Sequence, residues 1–167
     1  MRPLLAPALA AALCGCPEKA DDTATPDPFA PTEGHWSYDS QEVLEDTCGS
    51  HGEPQGGGFT LTVTGEGSFE LVTDEFYGTF PCTLEGMDFA CDPRRAWEQD
   101  LSGEGLDAVV YNEASAEGTF QDRDSLEGTH TGHLGCEGAD CDAAWAMMDV
   151  QPPCDVVVAF TMSADVR

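Results

Sequence analysis

Two histidines three residues apart, His130 and His133, are the side chains whose type and spacing come nearest to a reactive pair in this sequence. On a helix that spacing brings both imidazoles to one face, where they suit a zinc ion; on a strand it sends them to opposite faces. The residues around them alternate as a strand does, so no metal site is expected. His130 then faces inward between Gly128 and Gly132, opposite Ala114 and Ala116. Side chains that small leave room for a ligand, and the alternative is a hydrogen-bonded histidine in a filled core. Asp122-Arg123-Asp124 with Glu127 offers oxygen ligands but lacks the alternating set and distal bidentate Glu of a calcium loop, and it reads as a hairpin turn. Gly56-Gly57-Gly58 precedes no helix and reads as a flexible loop, not a phosphate cradle. Neither His35 nor His51 has a sequence neighbour that would give it a catalytic role. There is no G-x-S-x-G, H-E-x-x-H, P-loop or C-x-x-C. No nucleophile can be paired with a base, so the expectation is a non-catalytic protein with no cofactor.

Charge narrows the partners. The chain carries 32 acidic and 6 basic residues, a formal net charge of −26. Such a surface repels phosphate backbones and anionic lipid head groups, which argues against nucleic acid and against a basic membrane-binding patch. Its ordinary consequence is solubility; cations and basic partners are what it would attract.

The elements that must position these residues are strands. Phe59, Leu61 and Val63 alternate with threonines, Gly65-Glu66-Gly67 makes a turn, and Phe69, Leu71 and Thr73 resume the alternation: one hairpin. In a second, Phe80, Cys82 and Leu84 share a face, Gly86-Met87 fits a two-residue turn with Gly first, and Phe89 and Cys91 return on the same face. That register sets Glu85 against Asp88, Leu84 against Phe89 and Cys82 against Cys91, the last at a narrow position where a cross-strand disulfide is feasible. Leu106 to Phe120 reads as one long strand whose inner face carries Leu106, Ala108, Val110, Ala114, Ala116, Gly118 and Phe120, with Asn112 the polar exception. Residues 121–124 turn into Ser125 to Leu134, with Leu126, Gly128, His130, Gly132 and Leu134 inside. Val156, Val158, Phe160 and Met162 mark a last strand, and 139–150 is the one helical stretch, stopped by Pro152-Pro153. A first strand from His35 to about Leu44 brings the total to eight, the number that closes an up-and-down antiparallel barrel. An open sandwich of two four-stranded sheets satisfies the same alternation.

Ahead of these strands, Arg2 leads a short Leu/Ala-rich run that stops at Leu13-Cys14-Gly15-Cys16. This resembles a bacterial lipoprotein signal peptide ending in a lipobox. The resemblance implies a leader over 1–15, removed on export, and Cys16 as the lipidated first residue of the mature chain. The run is too short to span a bilayer, which takes about 20 apolar residues. At about 0.8 kcal/mol per buried methylene, several acyl chains would hold the protein at a membrane. Residues 16–33 are rich in Pro, Ala, Asp and Thr, with Phe29 the large apolar exception, and read as a disordered tether of roughly 20 to 25 Å. The domain is then 34–167. Pro17, following the cysteine, is not the Asp that resembles an inner-membrane retention signal, so the address implied is the cell envelope, at the outer membrane.

Loss of the leader and lipidation of Cys16 leave Cys48, Cys82, Cys91, Cys136, Cys141 and Cys154. An even set in an exported chain reads as three disulfides. In a closed barrel the first and last strands are neighbours, which brings Cys48 to Cys154 and leaves Cys136 for Cys141. Gly34-His35-Trp36, a G-x-W at the head of the first strand, is similar to the lipocalin and calycin pattern. The similarity implies that Trp36 plugs the closed end. Two functions fit: a lipid-anchored binding module whose small apolar ligand is contacted by His130, Ala108, Ala114, Ala116, Gly118, Gly128 and Trp36, or a filled, acidic structural barrel that meets protein partners.

Overall fold

Strict alternation of buried and exposed residues runs through the middle of the chain, and it is what curls the sheet around a single interior. The computed structural model describes residues 29–49, 57–74, 78–148 and 153–165; the leader, Cys16 and most of the tether lie outside them. Eight strands follow one another: β1 (Gly34–Asp46), β2 (Gly58–Gly65), β3 (Ser68–Thr73), β4 (Thr79–Glu85), β5 (Asp88–Asp100), β6 (Val109–Phe120), β7 (Ser125–Glu137) and β8 (Cys154–Ala164). Each pairs antiparallel with its neighbours, and β1 pairs with β8, so the sheet is a closed barrel and the sandwich alternative is excluded. One helix, α1 (Cys141–Met148), precedes β8.

The second hairpin adopts the expected register, and the first pairs Val63 with Phe69 with a register shift between Val63 and Gly65. Cys82 faces Cys91, Leu84 faces Phe89 and Glu85 faces Asp88, with Gly86 at φ 66°, the left-handed conformation that the first residue of such a turn requires. All three disulfides are present: Cys82–Cys91 across the hairpin with Cα atoms 4.1 Å apart, Cys48–Cys154 where β1 meets β8, and Cys136–Cys141 ahead of the helix. Beside the second of these, Thr47 and Asp155 exchange hydrogen bonds that extend the β1–β8 seam.

Three boundaries differ from expectation. β5 runs on to Asp100 through register shifts after Cys91 and after Arg95. Pro93 sits in the first of these, where a missing N–H is tolerated because the ladder is already interrupted. β6 begins at Val109, so Leu106 and Ala108 belong to a small second core with Leu101, Val110 and Ala144 of α1. The helix folds over that end and needs an apolar seat there. Finally, Phe29 to Glu33, expected in the tether, are docked on the barrel. The Phe29 ring lies 5.5 Å from that of Phe120, Thr32 bonds to Arg123 and Asp124, and Glu33 accepts from the Val63 N–H. Phe29 is the one large apolar side chain of its stretch, and burying it outweighs the entropy that would otherwise keep this end of the segment free.

The main core is aromatic and concentrated at one end. Trp36 is fully buried, 6.3 Å from the Phe59 ring and 5.9 Å from Phe120 edge-on, and its Nε1 donates to the Thr32 carbonyl at 3.0 Å. Phe69, Phe89 and Phe120 pack against one another at 5.5 to 5.9 Å. These rings, with the docked N-terminal segment and the β6–β7 turn, stopper that end.

Candidate functional site

Inward-facing positions of successive strands are filled by whatever their sequences supply, and here the supply is uneven. At the stoppered end phenyl rings meet. Toward the other end β6 and β7 contribute Ala114, Ala116 and Gly132, whose side chains stop short of the barrel axis. The result is a cavity of about 300 Å³. Phe69, Phe89 and Leu126 form its floor, and Phe59, Leu71, Phe80, Val156 and Phe160 its flanks. Among the described residues no lysine, arginine, aspartate or glutamate lines it. Its polar groups are Tyr38, Thr73, Asn112, Ser115 and His130.

His130 is on the wall, directly across from Ala116 in the β6–β7 ladder, its imidazole stacked on Phe160 with centroids 5.9 Å apart. Burial disfavours its charged form and lowers its pKa, so at neutral pH it faces the cavity uncharged. His133 takes the opposite face and pairs with Asp155 at 2.7 Å, which prevents the two imidazoles from sharing an ion. Tyr38 is held with its pKa raised, first by burial and then by the negative charge of Asp74. The acidic turn is a local structure: Asp122 accepts from the Asp124 N–H at 2.8 Å, and that bond, followed by the Ser125 hydroxyl, lowers its pKa. Among the described residues no three His, Cys, Asp or Glu side chains converge on a common point.

The expected lining residues divide into three groups. Ala114, Ala116 and His130 are in the wall. Gly118 and Gly128 face each other in the ladder, but the space their missing side chains leave is taken by rings. A methyl on Gly118 would meet Phe89 at 2.8 Å, and one on Gly128 would meet Phe160 at 3.1 Å. Ala108 lies in the second core and Trp36 in the stopper, neither on the cavity. Small residues are therefore of two kinds, those that make room and those against which a distant ring packs, and the sequence of one strand does not separate them.

Two lining groups that the sequence did not mark as ligand contacts stand out by their chemistry. Thr73 Oγ1 and Asn112 Oδ1 are buried and have no hydrogen-bond partner. Two polar atoms without a protein partner in the wall of one cavity give it hydrogen-bonding capacity that a ligand or water can take up. Asn112 left a trace in the sequence as the lone polar residue on the inner face of its strand. Thr73 and Tyr38 continue the inward period of β3 and β1, and only the closure of the barrel brings all three to one space.

His35, on the outside, is held by two carboxylates: its Nδ1 is 2.6 Å from Asp165 and its Nε2 2.9 Å from Asp74. These bonds raise its pKa, Asp74 contributing most. The cluster ties the start of β1 to the ends of β3 and β8 and involves no cavity residue. No protein-family model, curated protein or solved structure matches this chain.

Proposed function

We propose that this protein is a lipid-anchored lipoprotein of the cell envelope whose barrel takes up a small apolar ligand, and that it acts by binding, not by catalysis. The observation that carries the reading is the 300 Å³ cavity, walled mainly by phenyl rings and aliphatic groups with a few polar atoms among them, which is the make-up of small-molecule sites in general. The lipidated Cys16 and its tether would hold the barrel close to a membrane, the richest local source of apolar molecules. The acidic exterior would keep the barrel itself off anionic lipid heads.

Native mass spectrometry of the oxidised protein purified from an envelope extract, beside its denatured intact mass, tests this. The expected result is an adduct lost on denaturation, with the mass of an acylated Cys16 retained, and absent from Cys16→Ser. A bare native mass together with no response to any apolar probe would overturn the binding reading in favour of a structural barrel. An unmodified Cys16 in membrane-bound protein would overturn the anchor.

A further inference from the structure

The cavity's polar atoms restrict what it can hold, and the restriction is chemical. Anions are disfavoured twice: among the described residues no cationic side chain lines the space, Arg94 standing behind the Phe80 ring at 5.9 Å, and a chain of net charge −26 surrounds it. A carboxylate moved into such a site would lose its hydration without gaining a counter-charge. A quaternary cation would meet aromatic faces, but carrying no O–H or N–H it would leave the buried acceptors of the wall unpaired. What the wall does offer is Asn112 Oδ1 and Thr73 Oγ1, both buried and both without a partner. The Asn112 amide stands beside the bare backbone of Gly132, where a methyl would be 3.6 Å from its oxygen. Around these atoms the walls are flat: Tyr38, Phe59, Phe80, Phe160 and the imidazole stacked on it.

Resting on the binding reading above, we infer that the cavity selects an uncharged, ring-containing molecule carrying an O–H or N–H, which donates to Asn112 Oδ1 while the Thr73 hydroxyl takes up its remaining hydrogen-bonding capacity. The ring satisfies the aromatic walls through stacked and edge-on contacts. The donor removes the penalty of the orphaned acceptor, and a site built this way rejects an analogue that lacks the donor because its own buried group is then left unpaired. The ligand class is thus phenol-like, indole-like or amide-bearing aromatic, and free fatty acids are outside it.

Four probes of one skeleton separate the terms: naphthalene, methoxynaphthalene, naphthol and naphthoate, titrated into the oxidised protein by calorimetry and by their effect on the thermal midpoint. Naphthol should bind about 5- to 150-fold tighter than methoxynaphthalene, the range that the cost of one unpaired buried acceptor corresponds to. Naphthoate should not bind. Asn112→Leu should abolish the preference for naphthol while naphthalene binds as well or better. Thr73→Val, which keeps the shape, should reduce the preference and serves if the Leu variant does not fold. Equal affinities for naphthol and methoxynaphthalene would overturn the inference and leave the binding reading intact. Tightest binding by naphthoate would overturn it in favour of an anion site. If none of the four binds, the inference fails, and the binding reading fails with it where the native mass is also bare.

Discussion

Gly118→Ala and Gly132→Ala add the same methyl group to adjacent strands of one barrel wall, and they should have opposite effects. Neither glycine needs a positive φ, so the outcome rests on space alone. At Gly118 an ideal Cβ would lie 2.2 Å from the Glu127 carbonyl oxygen, 2.7 Å from Gly128 Cα and 2.8 Å from a Phe89 ring carbon. The first two are backbone atoms of the neighbouring strand and cannot rotate away, so β6 and β7 must part and the Phe89 ring must move. Overpacking of this kind costs about 1–3 kcal/mol. At Gly132 the nearest atoms are those of the Asn112 amide, 3.6 and 3.8 Å away, an ordinary contact, and the methyl would enter the cavity. There the loss of glycine's freedom in the unfolded chain should stabilise by about 0.4–1 kcal/mol. The two variants should therefore differ by roughly 1.5–4 kcal/mol. Urea titration of the oxidised proteins, followed by tryptophan fluorescence, reads this directly. With a urea slope of about 1–3 kcal/mol/M the midpoints should separate by on the order of 1 M at unchanged slope. Equal midpoints, or Gly132→Ala as the weaker of the two, would refute the reasoning that rings pack on bare backbone at Gly118 while the space at Gly132 is open.

The disulfides should rank by the chain they enclose: sequence separations of 106, 9 and 5 correspond, through the loss of chain entropy in the unfolded state, to about 4.8, 2.6 and 2.1 kcal/mol for Cys48–Cys154, Cys82–Cys91 and Cys136–Cys141. Paired Cys→Ala variants compared by thermal and urea unfolding check the order, and a barrel less sensitive to loss of Cys48–Cys154 than of the other two would contradict it. The histidines should titrate in opposite senses by NMR, His35 above and His130 below the ordinary value of about 6.5. Because the folded pKa of His35 is raised, its contribution to stability is complete below pH 6.5 and fades as pH climbs through the raised value; His35→Gln should remove that dependence, which exposure and salt keep small. For His130 the folded pKa is lowered, so stability is unaffected above pH 6.5 and declines as pH falls toward the lowered value, a decline that His130→Phe should abolish.

How much of this was legible in the chain follows from how local each determinant is. Strand identity, both short hairpins and the Cys82–Cys91 bridge depend on alternation and on a two-residue turn that fixes register over a few residues. Eight successive antiparallel strands with short connections fit a closed barrel and an open sandwich alike, and it is the pairing of β1 with β8, which brings Cys48 to Cys154, that decides for the barrel. The docking of Phe29 was not legible, since its partner Phe120 is far away in sequence and the segment between Pro17 and Glu33 has the composition of a tether. The late start of β6 was hidden for a similar reason: Ala108 keeps the inward period but is claimed by the seat of α1, an interaction that alternation does not encode.

The candidate site divides along the same line. By itself the sequence determined that β6 and β7 present small side chains inward and that His130 and Asn112 interrupt them. Only the tertiary structure decided which small residues lie beneath rings and which border empty space, because Phe89 and Phe160 reach Gly118 and Gly128 from strands on either side. It also decided that Tyr38, Thr73, Asn112 and His130, carried by four different strands, share one cavity. A side chain's face is set by its immediate neighbours in the chain, whereas the volume left inside a barrel is set by the sum of all inward side chains, and that sum exists only once the sheet has closed.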